Sequence, residues 1–77
     1  IHRDVPGWLN DLIRDGVPQG QRSEAAFKVM CHLLRYGWTH AEILSAFEQG
    51  GIGEKMREMR GGDRWFDRSL ERARAQL

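Results

Sequence analysis

The 77-residue chain has one cysteine, two prolines, two lysines and no long apolar run. Each scarcity excludes something. Cys31 alone cannot close an internal disulfide, so the chain is expected in a reducing, cytoplasmic setting. No apolar stretch approaches the ~20 residues that span a bilayer, and no leader-like segment is visible. Nowhere do β-branched residues alternate with polar ones over a useful length, so strands are not expected. Low-complexity segments and internal repeats are absent too. The chain opens at Ile1 without an initiator methionine and is expected to be a fragment of a longer protein, forming one domain over residues 1–77.

Arginine is what the sequence has in quantity. Ten of its 12 basic residues are Arg, against 11 acids, for a net charge of +1. The balance says little about partners, but Arg presents a planar fork of donors suited to phosphates and carboxylates. Surface ion pairs would use the same chemistry.

Helical signals recur along the whole chain. A first helix is expected from about Pro6 to Asp15, capped by Asp4, with Trp8, Leu9, Leu12 and Ile13 as one apolar stripe. Gly16 to Gly20 reads as a linker. A second helix, about Ser23 to Tyr36, takes Ser23 as its N-cap and shows a broad apolar face of Ala26, Phe27, Val29, Met30, Leu33 and Leu34. Gly37 ends it in the left-handed conformation. Thr39-His40-Ala41-Glu42 is a capping box that starts a third helix, which sends Ile43, Leu44 and Phe47 inward and stops at Gly50-Gly51. Ile52 to Arg60 reads as a short fourth helix with Ile52, Met56 and Met59 inward. Asp63 caps a last helix that runs to about Gln76, with Trp65 or Phe66, Leu70, Ala73 and Leu77 inward. The expected fold is all-α, a compact bundle of about five short helices.

No catalytic constellation emerges. His2, His32 and His40 lack metal-ligand spacing, and adjacent Cys31 and His32 point about 100° apart on a helix, so they do not converge. Ser23, Ser45 and Ser69 have no evident base. The stretch Gln49 to Lys55 is glycine-rich and precedes a helix, a place where backbone N–H groups can cradle phosphate, but GK[ST] is missing and Glu54 would repel a nucleotide. A turn needing positive backbone angles is the simpler account. An enzyme is not expected, and neither is a cofactor.

Binding features are stronger. Arg64, Arg68 and Arg72 recur every four residues and form one ridge, preceded by Arg57 and Arg60; such a ridge can track a nucleic-acid backbone. Asp67 and Glu71 sit one residue before two of them, so an ion-paired, solvated face is the competing account. Tyr36 or Trp38, flanking Gly37, is the aromatic expected at the surface to stack on a base. The second and third helices also resemble a helix-turn-helix, yet the would-be reading helix carries Glu42 and Glu48 and no Lys or Arg.

Several segments in order suggest a family. Gln21-Arg22-Ser23-Glu24-Ala25-Ala26-Phe27, Leu33-Leu34-Arg35-Tyr36-Gly37-Trp38, Ala41-Glu42-Ile43, Gly51-Ile52-Gly53-Glu54-Lys55, Trp65-Phe66 and Leu70-Glu71-Arg72-Ala73 together resemble the primase C-terminal helical domain of bifunctional primase-polymerases and primase-helicases from phages, plasmids and mobile elements. The resemblance covers roughly residues 8 to 75. It implies a non-catalytic domain that follows a polymerising domain, often precedes a helicase, and helps start primers by holding single-stranded template, sometimes with a nucleotide. By the same resemblance Arg22 is a phosphate or structural anchor, with an ion pair to a local acid as the alternative, and Lys55 and Arg72 fall on basic positions of the later motifs.

The expected function is therefore template binding in DNA replication, with Arg22, Lys55, Arg64, Arg68 and Arg72 on phosphates and Tyr36 or Trp38 on a base. The expected partners are single-stranded DNA and the catalytic primase or polymerase and helicase domains of the parent protein, with no membrane. Two rival functions are a protein-docking module, which exposed Trp8, Trp38 or Met59 would favour, and a helix-turn-helix that reads duplex sequence.

Overall fold

A computed structural model of the chain describes residues 5–77, the Gln19 side chain excepted. Five α-helices run Gly7–Asp15 (α1), Arg22–Arg35 (α2), His40–Gln49 (α3), Glu54–Glu58 (α4) and Gly62–Ala75 (α5), and 3₁₀ turns at Gln19–Gln21 and Gly51–Gly53 lead into α2 and α4. Among the described residues there is no strand. The all-α bundle is as the sequence leads one to expect.

The core takes side chains from every helix. Leu9 comes from α1, Ala26, Val29, Met30 and Leu33 from α2, Ile43 and Phe47 from α3, Met56 from α4, and Phe66, Leu70 and Ala73 from α5; all are buried, with Trp38 and Ile52 from the connections. Phe47 and Phe66 meet edge to face at 5.4 Å, which ties α3 to α5 at the centre.

The α2–α3 connection is specified residue by residue. Gly37 has φ +85°, its N–H donates to the Leu34 carbonyl, and the Trp38 N–H reaches back to the Leu33 carbonyl. That pair of bonds is a Schellman motif, and it folds Trp38 back over Leu33 into the core. Thr39 then opens α3: its hydroxyl accepts from the Glu42 N–H at 3.2 Å, and the Glu42 carboxylate accepts from the Thr39 N–H at 2.8 Å. The expected capping box is present.

Other ends differ from expectation. α2 starts at Arg22 with Gln21 at the cap position, and Ser23 caps nothing; its hydroxyl accepts a hydrogen bond from the Lys55 ammonium. α5 starts at Gly62, so Asp63 lies in the first turn, where its charge suits the helix dipole, and it makes no cap bond. Pro6 occupies the cap position of α1. The expected Asp4 cap, like His2, lies outside the described residues. The fourth helix shrinks to Glu54–Glu58, and its end turns Met59 outward, 37% exposed. Leu77 lies past the end of α5 and is exposed, and Trp8 projects from α1 at 49% exposure.

The glycine-rich stretch is a packing hub. None of its glycines has positive φ. A Cβ on Gly50 would stand 2.3 Å from the Ile13 carbonyl oxygen, on Gly51 2.6 Å from that of Asp15, and on Gly53 1.6 Å from that of Phe47. Backbones of α1, α3 and the 3₁₀ turn therefore touch where only glycine fits. The turn read from the sequence as needing positive angles needs close approach instead.

Candidate nucleic-acid interface

The last helix carries two charged rows. Arg64, Arg68 and Arg72 stand four residues apart, so they rise about 6 Å per step along one line. Asp63, Asp67 and Glu71 form a second row, one residue earlier and about 100° around the helix. The acidic row turns toward α3: Asp67 Oδ1 lies 3.1 Å from His40 Nε2, and Asp67 and Glu71 share a groove with His40. Among the described residues no ion pair neutralises the three arginines. All three are exposed, and among the described residues neither Arg64 nor Arg68 has an ion pair or hydrogen bond.

The three arginines line one groove with Met59, Gly61, Trp65 and Ser69. Half-buried Trp65 and exposed Met59 make part of its lining apolar, and the arginines make another part cationic. The Lys55 ammonium lies 5.7 Å from the centroid of the Trp65 ring and adds positive charge at the same end. The Arg72 guanidinium sits 5.6 Å from the Phe27 ring and links the groove to the flank of α2. Arg60 lines a wider neighbouring groove with Gly61, Gly62 and Arg64.

The expected site residues do not all meet here. Arg64, Arg68 and Arg72 do, and Lys55 reaches the groove only through the Trp65 ring. Arg22 does not, because its side chain is only 13% exposed and its Nη1 donates to Glu54 Oε1 at 3.2 Å and to Glu58 Oε1 at 3.0 Å. It holds the start of α2 to α4, which is the ion-pair alternative. Trp38 is 6% exposed, and its indole Nε1 is buried with no hydrogen-bond partner among the described residues, so stacking on a base is corrected to a core role. Tyr36 is 43% exposed but stands at the end of α2, outside the α5 groove.

Arg57, grouped by sequence with the basic ridge, is committed elsewhere. Its Nη1 donates to the carbonyls of Phe47 at 2.8 Å, Gly50 at 2.9 Å and Glu48 at 3.2 Å. It thus satisfies two of the carbonyls that α3 leaves free at its C-terminus, Phe47 and Glu48, and that of Gly50 just beyond. Nothing in the spacing signals this, since the contact depends on how the 3₁₀ turn reverses the chain. Met59 is a groove residue that helical periodicity assigns inward, and Trp65 is one that it offers inward as the alternative to Phe66.

Away from the groove, the Arg14 guanidinium is raised above its usual range by its hydrogen bond to Asp15, and Asp15 is lowered by the same bond; both are surface residues. Among the described residues no three His, Cys, Asp or Glu side chains converge as a metal site would require. No described helix is long and apolar enough to cross a membrane. No family model, curated protein or solved structure matches the chain.

Proposed function

We propose that this chain is a non-catalytic helical module that holds single-stranded DNA, within a replication protein of the primase-polymerase or primase-helicase kind. The observation that carries the binding reading is the exposed Arg64–Arg68–Arg72 row beside Trp65 and Met59. Neighbouring phosphates of an extended strand would sit on successive arginines, and an unpaired base would lie against Trp65 and Met59. The replication setting rests on the resemblance of the ordered segments. A nucleotide would compete for the same cationic wall.

The test is a salt titration of binding to a labelled single-stranded oligonucleotide. Neutralising three phosphates predicts a log–log slope of about −2. Arg64→Ala/Arg68→Ala/Arg72→Ala should remove that contribution to the slope while the helical circular-dichroism signal stays. Equal binding by parent and variant would sink the reading, and no binding by either at low salt would move the groove to docking of a polymerase or helicase domain.

A further inference from the structure

A second surface carries the same chemistry on the other flank of α2. Trp8 projects from α1 and meets the His32 ring edge to face at 5.1 Å. The Lys28 ammonium lies 5.8 Å from the Trp8 ring centroid. Lys28, His32, Arg35 and Tyr36 follow one another along the outward side of α2, a rise of about 12 Å from first to last. From Lys28 to Tyr36 the sequence has no acid; Glu24 lies a turn before Lys28. Exposed aromatics interleaved with cations suit a polyanion with stacking bases better than they suit a neutral protein surface.

We infer that this face is a second nucleic-acid contact, at which an unpaired base stacks on Trp8 and the flanking phosphates lie on Lys28 and Arg35. The inference rests on the proposed binding reading and extends it. Phe27, beside Arg72, and His32, beside Trp8, lie on opposite flanks of α2. A strand leaving the α5 groove past Arg72 therefore crosses α2 to reach Trp8. Tyr36, absent from the first groove, falls at the far end of the second.

The experiment uses the full chain and an oligothymidylate carrying 5-iodouracil, long enough to cross α2, alongside a short one. Irradiation should cross-link Trp8 or Tyr36, mapped by mass spectrometry, and should do so in the triple arginine variant at saturating concentration. Trp8→Ala should bind the long oligonucleotide about tenfold more weakly and the short one unchanged, while Trp8→Tyr restores the affinity. Full affinity in Trp8→Ala, cross-links confined to α5, or a loss that Trp8→Tyr does not restore would overturn the second contact. The triple variant separates the two claims: normal binding there defeats the α5 groove, whereas normal binding by Trp8→Ala defeats only the crossing.

Discussion

At the scale of single residues, apolar character was readable and direction was not. Trp38 and Trp65 have the same side chain, and the sequence offers Tyr36 or Trp38 for the surface and Trp65 or Phe66 for the core. The Schellman turn decides for Trp38, since the bond from its N–H to the Leu33 carbonyl carries the indole inward. The position of Trp65 beside Phe66 leaves it on the shoulder of α5, half-buried in the groove. Glycines were misread for a related reason. Sequence suggests unusual backbone angles, whereas at Gly53 the constraint is the Phe47 carbonyl oxygen, 1.6 Å from where a Cβ would be. Gly53→Ala must therefore separate α3 from the turn that follows it. The expected cost is at least about 3 kcal/mol, the upper range for an overpacked core, read from urea denaturation. Gly20→Ala, with nothing near its Cβ position, should stay within about 0.5 kcal/mol of the parent. Equal stability of the two variants would refute the close-packing account.

At the scale of helices, elements with their own stop and start signals were legible nearly to the residue. α3 is the best case, because Gly37 and the Thr39–Glu42 box act locally. Thr39→Ala removes the hydroxyl that accepts the Glu42 N–H, and it should cost about 1 kcal/mol, or about 4–8 °C in the melting midpoint of a domain this small. A Thr39→Ser variant should recover most of it; failure to do so would mean the methyl group, not the cap, matters. α4 was legible only in part. Five residues are too few to be stable from propensity alone, and its extent is set by Arg57 closing on the end of α3 and by the turn at Gly61. Met59 followed from the longer helix that was expected and so was placed inward. On α5 the spacing of the two charged rows was visible in the sequence, but which row met another helix was not. His40 settles that by taking Asp67.

For the whole molecule the question is what holds the short α4 against α2. Arg22 bridges to Glu54 and Glu58, while Lys55 on the same short helix reaches Ser23. Two residues that family likeness marks for phosphate thus join α2 to α4, and for Arg22 that role leaves little to offer a ligand. Both carboxylates are more than half exposed, so solvent screening limits the coupling to about 1 kcal/mol. Arg22→Ala should lower stability by that order. In a double-mutant cycle with Glu58→Gln, the combined loss should be smaller than the sum of the single losses. Oligonucleotide affinity per folded molecule should not change, because Arg22 reaches neither the α5 groove nor the Trp8 face. Additive losses would show that no pair exists. A fall in affinity at full folding would return Arg22 to the phosphate-binding set and require the strand to pass the start of α2 rather than cross its middle.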